Sequence, residues 1–358
     1  MLLRRLGTVM EPQAGNPLEA EGVLNPAAVR GRDGELYLFP RLVARGNYSR
    51  IGIARVCFNA CGDPVGVERL GVALEPEAEY ERRPGGGGCE DPRITFVKRF
   101  NLYVMTYTAF SPRGPRIAVA VSRDLLSWRR LGLAAFVPYD GIAFEDVNNK
   151  DAAVFPVAIP DPLGHPALAL VHRPLFPGTA PEETKARSTP RVLDIERESI
   201  WISYCQRLRF CHFTSHHRLA APVAPWERLK IGIGAPPVLT RHGWLLIYHG
   251  VGENDPQAPT GRSLRYSAGL IMLEKEHPHR ILYRSPEPIL VPESPAERIG
   301  TIGDVVFPTG IDRREDLGAP DRFDIYYGMA DNRIGAARLD LPDVLPPEAK
   351  VDPPGGVC

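Results

Sequence analysis

The sequence predicts an all-β protein, a five-bladed β-propeller, on three observations. Turn formers are dense, with 37 prolines and 34 glycines in 358 residues. Between them lie short runs of alternating apolar and polar residues, rich in Val, Ile, Tyr and Phe, which is the pattern of half-buried strands. A similar opening then recurs five times, each a polar or Pro-containing entry followed by strand, turn and strand, at a spacing of roughly 60–85 residues.

The openings are NPAAV from Asn25, EDPRITF from Glu90, NKDAAVF from Asn149, GAPPVLT from Gly234 and GDVVFPTG from Gly303. They divide a single domain, 1–358, into blades at roughly 25–80, 90–133, 149–228, 234–291 and 303–340. The last is short, and the N-terminal segment is expected to supply its missing strand and close the ring. A β-sandwich would explain the strands but not five alike openings. Helical periodicity is confined to a weak stretch, MEPQAGNPLEA. SRDLLSW (122–128) reads as a turn into an outer strand, with Trp128 packed between blades. The glycines 85–88 and the polar stretch 177–199 read as mobile rims.

Charge excludes several classes of partner. Lys plus Arg and Asp plus Glu number 43 each, so no long-range field draws nucleic acid or an anionic membrane. The N-terminus MLLRRLGTVM lacks the apolar core of a signal peptide, and no run approaches a membrane span. The expected location is the cytoplasm. Six cysteines without a repeated spacing read as reduced thiols. Neither Cys57 with Cys61, nor Cys205 with Cys211 and His212, nor the CHFTSHH histidines match metal-ligand spacing, so no metal is expected. The glycine run has no GK[ST] behind it, and GxGxxG and GxSxG are absent. No nucleotide or other cofactor is implied.

The strongest local signal is GGGGCEDPR, where Glu90 and Asp91 enter a strand before Pro92 and Arg93. Glycosidic cleavage needs a proton for the leaving oxygen, and an aspartate raised in pKa by a confined site supplies one. The plainer reading is that Asp91 caps the strand and pairs with Arg93. A propeller would turn Asn25, Asp91, Asp151 and Asp304 toward one axis. Four cationic residues at strand ends, Lys150, Arg173, Lys230 and His249, would together hold an oxyanion. Tyr107 and Trp244 are the candidates for stacking on a pyranose.

The ordered set EDPR, NKDAAVFP, HRP, IWISY, KIGIGAPPV, GWLLIYHGV, YSAGLIMLE and YYGMAD resembles glycoside hydrolase family 130, over about residues 20–340. That resemblance implies a five-bladed propeller with its site at the channel mouth. Asp91 would be the general acid, relaying its proton through a hydroxyl of the mannosyl residue. Arg173, Lys230 and His249 would hold inorganic phosphate as co-substrate, and Asn25, Arg41, Lys150 and Asp331 the sugar. The implied reaction is inverting phosphorolysis of a β-mannoside to α-mannose 1-phosphate, with a small oligosaccharide as the other substrate. One position departs: Asn148 stands where many phosphorylases carry Arg. Members without the phosphate set hydrolyse β-1,2-mannosides with a glutamate base, for which Glu145 and Glu227 are available; a non-catalytic sugar-binding propeller is the remaining alternative. Linkage, acceptor and whether the chain forms a homo-oligomer are left open.

Overall fold

A computed structural model describes residues 2–139, 143–176, 197–206, 212–254, 264–319 and 321–346. Most of stretch 177–199, as well as Cys211 and Cys358, lies outside these residues.

The chain is all β. Strand β1 (Leu2–Met10) comes first. β2 (Gly22–Arg30), β3 (Leu36–Ala44), β4 (Tyr48–Phe58) and β5 (Pro64–Leu74) form the first antiparallel sheet. β6 (Gly87–Val97), β7 (Leu102–Ser111), β8 (Gly114–Ser122) and β9 (Arg129–Leu133) form the second, which a short parallel pairing of β6 with β4 joins to the first as one eight-stranded sheet. β10 (Asn148–Val154), β11 (Ile159–Pro160), β12 (Pro166–Leu175), β13 (Ile200–Cys205) and β14 (Thr214–Ala220) form the third. β15 (Lys230–Ile233), β16 (Val238–Thr240), β17 (Gly243–Glu253), β18 (Leu264–Leu273) and β19 (Ile281–Arg284) form the fourth. β20 (Val306–Arg313), β21 (Arg322–Met329) and β22 (Arg333–Asp340) complete the fifth with β1, which pairs antiparallel with β22. The last sheet therefore joins a strand near the start of the chain to three near its end.

Apolar residues alternate on strands that face two neighbours, so each sheet buries both faces. The resulting cores run in order around the molecule. Phe39 and Ile51 of the first sheet meet Tyr103 and Met105 of the second. Val104 and Val119 meet Val154 and Leu168 of the third, and Ala153 and Ile202 meet Ile231 and Leu246 of the fourth. Leu245 and Ile247 meet Ile325 and Leu339 of the fifth, whose Tyr326 and Ile334 return to Val23 and Leu38 of the first. Full burial of each such side chain stabilises the fold by about 1.5–3 kcal/mol. Trp128 does pack between sheets: its ring meets Phe39 edge-on at 5.7 Å. It follows a turn in which Ser122 and Asp124 accept the backbone N–H groups of Leu125, Leu126 and Ser127.

Three expectations need correction. MEPQAGNPLEA forms only a 3-10 turn, Pro17–Glu19, capped by Asn16; its prolines and glycines leave too few residues to nucleate a helix. The glycine run is no rim. Gly86–Gly88 are buried, and Gly87 and Gly88 pair with Tyr48 and Ser49 of β4. A Cβ on Gly88, at φ +115°, would lie 2.1 Å from the Ser49 carbonyl oxygen, so only glycine lets the first two sheets meet there. Tyr107 and Trp244 are not stacking platforms. Both are about 2% exposed, because they sit on second strands and point between sheets. Tyr107 donates its hydroxyl to Glu81, and the Trp244 indole edge meets Phe155 at 5.0 Å.

Candidate functional site

A β-bulge interrupts the first strand of three sheets, between Leu24 and Ala27, Glu90 and Arg93, and Lys150 and Ala153. A bulge adds a residue, bends the strand and re-aims a side chain. Here the re-aimed residues are Asn25, Asp91 and Asp151, at φ +45°, +46° and +52°. Asn and Asp tolerate this left-handed region best among residues with a side chain. The same local device thus turns one polar side chain per strand out of the ladder.

Asp91 is 3% exposed. Its Oδ1 accepts from Asn25 Nδ2 at 2.9 Å and from Arg41 Nη1 at 3.4 Å. The Asn25 amide lies against Gly328, where a Cβ would come within 2.1 Å of it. Arg41 also donates to Glu90 at 2.9 Å and to Ser49 at 2.8 Å. Arg93 does not pair with the Asp91 carboxylate. Its guanidinium donates to three backbone carbonyls, of Asp91, Ile233 and Gly234, at 2.8–3.0 Å, and so staples β6 to β15.

The electrostatics differ from the expectation of a raised Asp91. Burial pushes this carboxyl up, but Arg41, Lys150 and Arg93 outweigh it and hold it below its ordinary value. The neighbouring carboxyls carry the upward shift. Burial raises Glu90 against the pull of Arg41, and raises Asp331 to about 6 against Arg41, with Asp91 adding to the rise. Three carboxylates share too few cations to ionise equally. Lys150 acts on Glu90, Asp91, Asp331 and Asp151, which places it between the two halves of the site.

The second half is cationic. Arg173 Nε donates to Asp151 Oδ2 at 2.6 Å and also contacts Glu198. His249 is fully buried, and among the described residues neither ring nitrogen is hydrogen-bonded; its Nε2 lies 3.6 Å from Asp151 Oδ2. Burial drives it well below its ordinary pKa, so it is a neutral imidazole with one N–H to donate. Lys230 is lowered to about 8 by burial and by Arg173, and its ammonium lies 5.6 Å from the centre of the Tyr266 ring. Gly232 makes room here: a Cβ would approach Asp151 and His249 within 2.5 Å.

The eight residues expected to serve as acid, phosphate ligands and sugar ligands, Asp91, Arg173, Lys230, His249, Asn25, Arg41, Lys150 and Asp331, thus lie near one another. Asp304, turned toward the same axis by expectation, accepts from Asn254 at 2.8 Å. Sequence reasoning passed over Glu198, Tyr266 and Phe307. Tyr266 and Phe307 face His249, with Phe307 at 4.3 Å, and YSAG within a strand run gave no reason to prefer that tyrosine. Of the two glutamates considered as bases, Glu227 is unfit. Its carboxylate accepts from Val223 N, Ala224 N, Tyr248 Oη and Arg284 Nη2 in a fully buried cluster. Glu145 is exposed, and its carbonyl binds Arg116. At the departing position, Asn148 Oδ1 accepts from Arg116 at 2.6 Å. Among the histidines, His216 is hydrogen-bonded to Ser203 and Val137 and His217 to Ser215; Cys57 and Cys61 are exposed free thiols.

β-Sheets packed through successive apolar cores, with a buried acidic cluster beside a cationic one, define an all-β protein. The chain belongs to glycoside hydrolase family 130: the family profile described as beta-1,4-mannooligosaccharide phosphorylase matches residues 3–346. The chain is 32% identical, over 96% of its length and 98% of the relative's, to a 1,2-beta-oligomannan phosphorylase of Thermoanaerobacter sp. (strain X514). A beta-1,4-mannooligosaccharide phosphorylase of Ruminococcus albus is 28% identical over 71% of this chain and 63% of its own. The fold is also that of the beta-1,2-mannobiose phosphorylase from Listeria innocua, with TM-score 0.69, 22% identity and coverage of 95% and 97%. A similar match, TM-score 0.67 and 22% identity over 98% of both chains, is to a structure whose description reports family members that hydrolyse beta-1,2 mannosidic linkages.

Proposed function

We propose that the chain is a single five-bladed β-propeller whose site, at the mouth of the central channel, cleaves β-mannosides by inverting phosphorolysis. The cyclic order of the five inter-sheet cores supports the propeller. The observation that carries the reaction is His249: a buried imidazole with no hydrogen-bond partner among the described residues, beside Lys230 and Arg173. Unsatisfied buried polar groups are costly, and an oxyanion satisfies all three donors together. Hydrogen bonds to charged groups contribute about 1.5–3 kcal/mol each.

In this reading Asn25, Arg41, Lys150 and Asp331 hold the mannosyl residue against Asp91. A phosphate oxygen attacks the anomeric carbon from the face opposite the leaving group. The glycosidic C–O bond breaks, and the leaving oxygen takes a proton from Asp91 through a sugar hydroxyl. The products are α-mannose 1-phosphate and the shortened saccharide. In the empty site Asp91 is held below its ordinary pKa. A phosphate dianion nearby offsets the cations responsible and moves Asp91 upward, so co-substrate binding itself favours the protonated acid.

The clustered cations favour phosphorolysis over hydrolysis, as does Glu227's commitment to a structural cluster. The relatives named as phosphorylases of 1,2-linked and 1,4-linked mannosides support the substrate class. A cytoplasmic location suits the reaction, since the charged product stays in the cell. No helix among the described residues is long and apolar enough to cross a membrane.

Product analysis on β-1,2- and β-1,4-mannobiose, with and without phosphate, tests this. Mannose 1-phosphate formed only with phosphate is expected, and Asp91→Asn should lower turnover at least 100-fold with the fold intact. Free mannose released at a phosphate-independent rate would establish the hydrolase instead.

A further inference from the structure

Asp331 reaches the acidic half of the site from the turn between β21 and β22, and that turn runs against local preference. Asn332 N donates to the Met329 carbonyl at 3.1 Å and closes it. The two residues enclosed, Ala330 and Asp331, both lie at φ +48°. Turns with two left-handed residues favour Asn, Asp and Gly. Asp331 meets that preference, but Ala330 does not. Its Cβ crowds the following carbonyl in this region, and it has no polar side chain to compensate. Left alone, an alanine turns back to negative φ and carries the next side chain with it. A residue strained in this way persists only where its surroundings over-determine it.

The surroundings here do so. Ala330 is fully buried. Its N–H donates to Val305 O at 3.0 Å, and its carbonyl accepts from Ile302 N at 3.3 Å. Gly300 lies against the same peptide, where a Cβ would come within 2.2 Å of Ala330 O and 2.7 Å of Ala330 Cβ. On the far side Gly22 leaves room for the Asp331 carbonyl, which a Cβ would meet at 3.0 Å, and Val23 N donates to Asn332 O at 3.0 Å. Thr301 Oγ1 donates to Glu21 O at 3.1 Å and so ties the two sides together. The turn is thus gripped between the start of β2 and the segment 300–305. Held there, the Asp331 carboxyl lies among Arg41, Asp91, Lys150 and Glu90.

We propose that segment 300–305 is a clamp, with Gly300 and Ala330 as positioning residues, that keeps the strained turn closed so that Asp331 meets a hydroxyl of the saccharide. The role rests on the proposed saccharide contact of Asp331. Neither Gly300 nor Ala330 has a side chain able to hydrogen-bond a sugar, so each acts through the turn alone.

A wedge and its rescue test the clamp, read by calorimetric titration with β-1,2- and β-1,4-mannobiose. Gly300→Ala sets a methyl against Ala330 O and should weaken saccharide binding at least 10-fold. Phosphate, held by groups on β12, β15 and β17, should change less than 3-fold. Adding Ala330→Gly should bring saccharide affinity back to within about 3-fold of wild type, because glycine keeps positive φ without a clamp. Ala330→Gly alone should bind saccharide as wild type does and melt no lower, since strain relief offsets the added freedom of the unfolded chain. Unchanged saccharide affinity in Gly300→Ala, equal losses for saccharide and phosphate, or a double variant no better than the single one overturns the clamp. A lower melting temperature for Ala330→Gly overturns the strain on which it stands. If Gly300→Ala does not fold, Thr301→Val, which cuts the tie to Glu21, replaces it, with a loss of about 3-fold and the same rescue expected. A wild-type protein that binds neither mannobiose refutes the saccharide reading itself, and the role of Asp331 with it; the melting temperatures then still decide whether the turn is strained.

Discussion

Replacing Glu227 by Gln separates a structural carboxylate from a catalytic one. Glu227 Oε1 accepts from Val223 N, Ala224 N and Arg284 Nη2 at 3.0, 3.1 and 2.7 Å, and Oε2 accepts from Tyr248 Oη at 2.8 Å. Glutamine keeps the shape and an oxygen for the first three donors. What it loses is the charge opposite Arg284, which is 2% exposed. Removing one partner of a buried ion pair costs up to about 3–5 kcal/mol. Each kcal/mol shifts the Tm of a large domain by about 2–4 °C, so a fall on the order of 10 °C is expected. Thermal denaturation measures that, and initial rates taken well below the transition measure turnover, which should stay within 3-fold of wild type. A 100-fold loss of turnover with an unchanged Tm would make Glu227 a catalytic base and refute the structural assignment.

Two further outcomes follow from the charges. Lys230, lowered to about 8, should give kcat/KM for phosphate a descending limb above about pH 8, as the free enzyme loses that charge. Lys230→Ala should remove the limb and raise the phosphate KM at least 10-fold while the saccharide KM changes little; equal losses for both substrates would argue against an anion role. At acid pH, Glu81 is the sensitive group. Burial raises it, but Arg130, Tyr107 and the Ala78 N–H hold it below its ordinary 4.5. A depressed carboxylate stabilises the fold fully above its unfolded pKa, and the contribution fades as pH falls through the lower folded value. Stability measured by urea denaturation should thus fall more gently below pH 4.5 in Glu81→Gln than in wild type.

The repeat openings were legible because the fold uses one device several times. Asn25, Asp91 and Asp151 each stand at a bulge on a first strand, and an Asn or Asp before Pro or Ala within a β run is a local mark of it. The strand runs and the place of Trp128 followed from alternation and turn chemistry, which are also local. The errors came where a side chain's direction depends on a partner far away in sequence. Tyr107 and Trp244 look like sugar platforms by composition, yet their strands are second in their sheets and buried on both faces. Glu227 looks like a spare carboxylate, but Arg284, 57 residues on, claims it.

A second repeat was present and went unread for the same reason. Glu81, Glu227 and Glu297 are each the third residue of a short helical turn, accept two backbone N–H groups from three and four residues back, and take a Tyr hydroxyl and an Arg. The tyrosines Tyr107, Tyr248 and Tyr327 lie on the second strand of their sheets, and Arg130, Arg284 and Arg5 on the outermost. One carboxylate thus ties a connecting turn to the inner and outer parts of a single sheet. The spacing between partners varies from sheet to sheet, and Arg5 belongs to the opposite end of the chain from Glu297. Periodicity along the sequence shows only the Glu of each cluster; the cluster becomes a repeat only when the sheets are superimposed. Carboxylates committed in this way are withdrawn from chemistry. Glu90, Asp91 and Asp331, set against Arg41 and Lys150, are not committed in this way.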